Sequence, residues 1–431
     1  MEREYKSEEL KMKNEELKDK SCKRGYKMTE LGEIPEEWKV KKLGEKVEIR
    51  SGNSPSKFNL HDYGSFPFYK VDDMNYTEKY LNKSKAYFDE EKYNLMPKGM
   101  IVFPKRGASI FTNKVAILQN AGYFDTNIMG LKCKDGLNNE YLFYQLKFIE
   151  LKKFADTTAV PQINNKHINP LKICLPPLKE QQKIASILSS VDEQIEITDS
   201  LIEKTKELKK GLMQRFLTKG IGHSRFKDTE IGRIPVEWEV RKLGKIFSIN
   251  SKSIKPYKYD KEFLHYSIPA YDEARTPIIQ NGKEIRSNKF IIEKDSILVS
   301  KLNPRIKRVW KVTYSKKNIQ VCSTEFINYV PLYKNIIDIS YYYQYFLSDV
   351  FQNQLLLREK GTTGSRKRVS PNDTKDILVS LPALKEQQKI ASILSSVDEQ
   401  IDQYESKKEK LKELKKGLMQ KLLTGKIRVK V

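Results

Sequence analysis

The sequence predicts an α+β protein built as a tandem, two globular units joined by two long coiled-coil helices. Three observations carry this. LKEQQKIASILSSVDEQI runs from Leu178 to Ile195 and recurs letter for letter from Leu384 to Ile401, and KELKKGLMQ closes the copies at Lys206–Gln214 and Lys412–Gln420, both at an offset of 206. YKMTELGEIPEEWKVKKLG at Tyr26–Gly44 is matched by FKDTEIGRIPVEWEVRKLG at Phe226–Gly244, at an offset of 200. Between these repeats, short strand-like and helix-like runs mix without the regular alternation of a parallel doubly wound sheet.

Residues 1–25 read as a charged helical leader with little apolar face. In the motif that follows, Gly32-x-Ile34-Pro35 and Gly232-x-Ile234-Pro235 make a turn, and Trp38 and Trp238 anchor the start of each globular unit by packing. The first unit, 26–177, carries strand-like runs at Ile101–Pro104, Lys114–Leu118, Ile128–Lys132 and Leu171–Leu175, with an aromatic helix starting at Asn139. The second, 220–383, carries them at Lys289–Ile292, Ser296–Ser300, Val309–Tyr314, Ile319–Cys322, Phe326–Val330 and Ile377–Leu381, with an aromatic helix from Ser340. The two units show little likeness in sequence, so two variable modules sit on one repeated frame.

The helices are predicted over 178–219 and 384–425, with a tail at 426–431. Pro176 and Pro177, and Pro382, precede them, where a missing N–H costs little. Good helix formers then dominate, with one glycine near each end. Apolar residues alternate four and three apart along a coiled-coil seam. It comprises Ile184, Leu188, Val191, Ile195, Ile202 and Leu212 in the first copy. The second has Ile390, Leu394, Val397, Ile401, Tyr404, Leu411 and Leu418. A helix of roughly 40 residues spans on the order of 60 Å and can act as a spacer.

With 431 residues the chain has room for several cores, and 80 Lys+Arg against 56 Asp+Glu give a net charge of +24 that favours a polyanionic partner, nucleic acid first. No stretch reaches the roughly 18 apolar residues of a membrane span, and the charged N-terminus is no signal peptide. A soluble cytoplasmic protein is expected. Cys22, Cys133, Cys174 and Cys322 are too scattered for a zinc site or a disulfide framework, and the four histidines are equally dispersed. There is no phosphate loop, strand-linked GxGxxG, methyltransferase loop, serine elbow or zincin helix. Catalytic residues, cofactors and metals are therefore not expected in this chain. Basic residues gather instead in Gly/Pro/Asn-containing loops: PKRG at Pro104, TTAVPQINNKHI at Thr157, SKLNPRIKRVWK at Ser300 and GTTGSRKRVSPND at Gly361. A shift of 206 sets Gln162, Ile163 and Asn164 opposite Arg368, Val369 and Ser370, the same architectural slot in both units. Arg and Lys suit guanine edges and phosphates, Asn and Gln adenine edges.

The duplicated LPPLKEQQKIASIL...VDEQI, the GEIPEEW opening and the GTTGSRKR loop together resemble the specificity subunit of type I restriction-modification enzymes, over roughly residues 26–425. FPKRG...TNKVAIL...FDTNIMGL and SKLNPRIKRVWKV...VCSTEFI resemble two different types of target-recognition domain. The resemblance implies a non-catalytic chain whose two domains each read half of a split duplex DNA site. It further implies that the helices pack antiparallel in a pseudo-twofold frame and dock two methyltransferase subunits, to which restriction/translocase subunits add. S-adenosylmethionine, ATP and Mg are then expected on those partners. Like half-site readers must meet the same face of the duplex, a repeat of about 34 Å, so helix length acts as a ruler. The expected DNA-binding residues are Lys105, Arg106, Lys114, Gln162, Asn164, Asn165 and Lys166 in the first domain. In the second they are Lys301, Asn303, Arg305, Lys307, Arg308, Ser365, Arg366, Lys367 and Arg368. The competing readings are a coiled-coil adaptor without DNA sequence preference and a stand-alone DNA-modifying enzyme.

Overall fold

A computed structural model describes residues 22–91, 95–156, 160–361 and 367–430. The charged leader up to residue 21, and Thr157, Ser365 and Arg366 of the basic loops, lie outside the described residues. The chain forms two compact units, Met1–Thr198 with Lys407–Val431, and Asp199–Ser406. Each unit therefore holds one globular domain, the first half of the helix that follows it, and the second half of the other long helix.

Both units open on the same hairpin. Tyr26–Thr29 pairs antiparallel with Gly32–Pro35, and Phe226–Thr229 with Gly232–Pro235. Gly32 and Gly232 close these turns at φ 94° and 99°, a conformation cheap only for glycine. The next strand pairs with the last strand of the same domain: Lys39–Lys42 with Lys172–Leu175, and Glu239–Lys242 with Leu378–Leu381. Because those last strands lead into the long helices, this pairing delivers each tryptophan to the first helical turn. Trp38 Nε1 donates to Glu180 Oε2 at 3.0 Å and Trp238 Nε1 to Glu386 Oε2 at 2.9 Å.

Behind the hairpins lies a sheet built largely from the predicted strand runs, with an equivalence between the units that the two sequences do not advertise. In the first unit the strand order is Val47–Ser51, Ile128–Cys133, Ile101–Pro104 and Ala116–Leu118, all antiparallel. In the second it is Phe247–Ile249, Phe326–Pro331, Ser296–Ser300 and Val309–Val312, again all antiparallel. The first unit alone extends this sheet with Tyr80–Leu81, parallel to Ala116–Leu118. The apparent unlikeness of the domains thus hides a common four-stranded core. Burial demands only apolar residues of fitting volume at these positions, not particular letters.

The second sheets do differ. The first unit has Tyr123–Phe124, Phe66–Tyr69 and Tyr87–Phe88; the second has Ser253–Ile254, Lys289–Ile292, Ile319–Ser323, Glu262–Tyr266 and Ile278–Asn281. One aromatic helix closes each common core. Asn139–Ile149 starts where Asn138 Oδ1 accepts from the Tyr141 N–H at 2.9 Å, and Ile339–Leu347 where Asp338 Oδ1 accepts from the Tyr341 N–H at 2.8 Å. The sequence expectation of one continuous helix beyond Ser340 is corrected here. Ser348 takes an extended conformation and its Oγ accepts from Phe351 N–H at 3.3 Å, starting a separate helix, Asp349–Leu356.

The long helices run over Leu178–Lys219 and Leu384–Leu422, 42 and 39 residues. Within each unit their halves are antiparallel. Asp192 meets Lys415 at 2.5 Å in the first unit, and the 206-shifted pair, Asp398 and Lys209, meets at 2.6 Å in the second. Ile184 and Leu188 are buried in the first domain's core together with Leu422 and Leu423, with Leu418 partly buried against it. Ile390 and Leu394 join the second core, with Leu212 against it. Ile202, Val397 and Ile401 are buried, and Val191, Ile195, Tyr404 and Leu411 half-buried. Thr198 and Thr205, also on the seam, satisfy their hydroxyls on the Gln194 and Leu201 carbonyls four residues back, both at 2.7 Å.

Candidate nucleic-acid interface

Each common sheet ends in the same arrangement of loops. The strand Ile101–Pro104 runs into Lys105-Arg106-Gly107, and Ser296–Ser300 runs into Lys301-Leu302-Asn303. Lys105 N–H donates to Asn127 O at 2.8 Å, and Lys301 N–H to Glu325 O at 2.9 Å. The later loop then zips alongside. Ile163 N–H donates to Lys105 O at 2.9 Å and Val369 N–H to Lys301 O at 3.0 Å; Gly107 N–H donates to Pro161 O at 2.9 Å and Asn303 N–H to Lys367 O at 2.8 Å. Gly107 and Asn303 both take positive φ, 84° and 47°, in the region that glycine and asparagine tolerate best. At the centre, Arg106 bridges Gln162 in one domain, and Leu302 bridges Arg368 in the other. The slot is the same, while the arginine has changed sides.

The remaining predicted residues fall into groups. Lys105 Nζ donates to Ser51 Oγ at 3.1 Å, and burial with Arg106 beside it lowers its ammonium pKa. Asn164 precedes the short helix Asn165–Ile168; its N–H donates to His167 Nδ1 at 3.0 Å, while Lys166 pairs with Asp156 at 2.9 Å. Lys114 bonds instead to Asn75. In the second domain Arg368 is held by Glu325, Nε to Oε2 at 3.1 Å and Nη2 to Oε1 at 3.3 Å, which raises its pKa further. Lys367 and Arg305 both approach Glu359, at 3.0 and 3.7 Å, and Lys307 pairs with Asp349 at 2.6 Å.

Arg308 stands apart. Its side chain is only 9% exposed and makes a two-pronged bond to Asp272, 2.7 and 2.8 Å, which ties the sheet edge to the helix Ile268–Ala274. The structure therefore assigns it to packing, a correction to its place among the surface readers: a desolvated guanidinium needs its carboxylate.

The sequence reading passed over two residues of the repeat that fix the frame. Gln181 accepts from Asn138 N–H at 2.9 Å and donates to Gly136 O and Pro176 O; Gln387 accepts from Asp338 N–H at 2.8 Å and donates to Ile336 O and Pro382 O. Each glutamine thus clamps the loop before the aromatic helix. Glu180 and Glu386 do the same for the tryptophans. The available signal was a run of polar letters, EQQ, kept identical at the mouth of both helices. Among the described residues no group of His, Cys, Asp and Glu is arranged to hold a metal ion, and no helix is long and apolar enough to cross a membrane.

A frame repeated twice, carrying one loop slot filled by different side chains, defines a tandem recognition protein. The comparisons give that class its family. The type I restriction modification DNA specificity domain matches residues 35–207 and again 235–413. The putative type I restriction enzyme MjaX specificity subunit of Methanocaldococcus jannaschii is 31% identical over 430 residues, covering 94% of this chain and 97% of that one. The EcoDI specificity subunit of Escherichia coli is 22% identical, covering 83% and 81%. A solved S subunit from M. genitalium shares the fold at a TM-score of 0.56 and 17% identity, over 90% of this chain and 96% of that chain. The chain belongs to the family of type I restriction-modification specificity subunits. In this family the subunit supplies sequence-specific DNA recognition, carries neither catalysis nor a cofactor of its own, and works with methyltransferase and restriction subunits.

Proposed function

We propose that residues 26–177 and 220–383 are the two target-recognition domains, each reading one half of a split duplex site through its loop slot. The helices 178–219 and 384–425 space the readers. The observation that carries this is the exchanged arginine. Arg106 opposite Gln162 offers a guanine-type and an adenine-type donor set, whereas Leu302 opposite Arg368 keeps a single guanidinium on the other strand. Carboxylates at Glu325, Glu359 and Asp156 hold the cations in fixed poses, which favours base readout over loose phosphate attraction.

Two methyltransferase subunits dock on the helices in this reading. Exposed Lys183, Ser186 and Glu193 are repeated as exposed Lys389, Ser392 and Glu399, although packing does not fix their identity. Two copies of one surface suit two copies of one partner. S-adenosylmethionine, ATP and Mg belong to the partner subunits, and the complex works in the cytoplasm.

The test is to co-express the chain with its methyltransferase subunit and map methylated bases across the host genome. A split motif should appear only with this chain present. Exchange of residues 245–383 should change one half of it, and Arg368→Ala should weaken recognition of that same half, by about 1–3 kcal/mol. Methylation unchanged by omitting the chain would favour the adaptor reading, and equal loss at both halves would overturn one reader per domain.

A further inference from the structure

Each loop slot has a third wall, the tight turn that enters an inner strand of the common sheet. Asp125-Thr126-Asn127 leads into Ile128–Cys133, and Ser323-Thr324-Glu325 into Phe326–Pro331. Ile128 pairs with Pro104 and Phe326 with Ser300. Asn127 and Glu325 therefore stand level with Lys105 and Lys301, whose N–H groups donate to their carbonyls. The offset between these turns is 198, against 206 for the late loop, so the sequence repeat does not align them.

The backbone of the turn is held by the residue two places earlier. Asp125 Oδ1 accepts from Asn127 N–H at 2.7 Å, and Ser323 Oγ from Glu325 N–H at 3.2 Å. The side chain in the third place is thus not needed to make the turn, and it takes a different task in each domain. Asn127 is folded back onto Asp125, and Arg106 makes no ion pair among the described residues. Glu325 reaches across the slot instead and grips Arg368 with both oxygens, Oε2 on Nε at 3.1 Å and Oε1 on Nη2 at 3.3 Å.

Main chain anchors both ends of this bridge. Arg368 is paired with Lys360 in a short ladder and bridged to Leu302 on its other side, while Glu325 is fixed by Lys301 and Ser323. The pair nevertheless faces solvent, with side chains 49% and 28% exposed. A carboxylate that engages two N–H groups of a guanidinium sets the plane of that fork, and the match to guanine O6 and N7 depends on the plane. On a surface that served phosphates alone, the same carboxylate would only repel the polyanion.

Given the assignment of residues 220–383 as the reader of one half-site, we propose that Glu325 determines specificity there by positioning Arg368 to demand a guanine at one base pair. The first domain has no such brace, so the requirement belongs to the second domain's half-site alone.

The test uses the full-length chain in complex with its methyltransferase subunit. Binding is measured to duplexes that carry each base in turn at every position of both half-sites, for the native chain, Glu325→Gln, Arg368→Ala and the double variant. Glu325→Gln keeps the shape of a half-exposed side chain, and an unchanged melting temperature confirms its fold. The preference for guanine at one position should fall about tenfold or more in Glu325→Gln, with every preference at the other half-site unchanged. In the Arg368→Ala background the Glu325→Gln change should have no further effect, because the carboxylate acts through the arginine. Guanine preference retained in Glu325→Gln while Arg368→Ala abolishes it overturns the proposal and leaves the slot assignment standing. A further loss of preference beyond Arg368→Ala, or affinity raised equally for all sequences, also overturns it. Preferences untouched by Arg368→Ala overturn the slot assignment itself.

Discussion

Glu180 and Glu386 occupy the same turn of the two long helices and meet different basic side chains. Glu180 takes Arg428 at 2.7 and 3.0 Å, and Arg428 also reaches Glu37. Glu386 takes His223 at 2.9 Å, and His223 also reaches Glu237. Both carboxylates thus have a second side-chain partner beside a buried indole. Arg428→Ala should leave Glu180 with the Trp38 N–H alone and destabilise the first unit by about 1–3 kcal/mol. A lowered urea midpoint with the second unit's transition unmoved would confirm it. The thiols give a second residue-scale expectation. Burial pushes Cys133 and Cys322 up to about 12 and Cys174 up to about 11. A group so raised ionises only as pH climbs through that range. At pH 8 all three should resist a thiol-disulfide reagent such as DTNB until the protein is unfolded; the half-exposed Cys22 is removed as Cys22→Ser, and rapid reaction of that native chain would contradict their shielding.

At the scale of elements, the loop slot depends on a left-handed residue after each common strand. Asn303→Gly should be nearly neutral, whereas Asn303→Val should cost about 1–2 kcal/mol and displace Leu302 from Arg368. Urea denaturation and the methylation pattern at one half-site read the two effects. The sequence made this slot visible, because Gln162 and Arg368 share the offset of the long helices and no insertion lies between loop and helix. It showed most strands of the common sheet but hid that the two units share it. The offset drifts through the domain, from 200 at Gly44 and Gly244 to 196 where Ile101 aligns with Ile297, because loops of unequal length intervene. Strand pairing depends on alternation and burial, so such drift leaves the architecture intact while erasing letter-by-letter likeness. Ser348 was unreadable for a related reason: serine is tolerated within a helix and favoured at its start, and only tertiary packing chooses. Arg308 looked like its exposed neighbours because Asp272 lies far away in sequence.

For the whole molecule, the division into units cuts across chain order. The first unit is assembled from residues before Thr198 and after Lys407, and its core includes Leu422 and Leu423. The second is one continuous stretch, Asp199–Ser406. A chain stopped at Ser406 should therefore protect 199–406 from limited proteolysis while 22–198 is cut; mass spectrometry of the surviving fragments decides it, and equal protection of both stretches would count against the division. The Tyr26 hydroxyl, 3.0 Å from Gly425 O, marks where the two distant segments of the first unit close on each other. On the ribosome that closure has a schedule. At about 5–20 residues per second, the roughly 200 residues between the two parts take on the order of 10–40 s to emerge. The half of the protein translated first is thus the half completed last, and it waits with an apolar helix face uncovered while its sister can already fold.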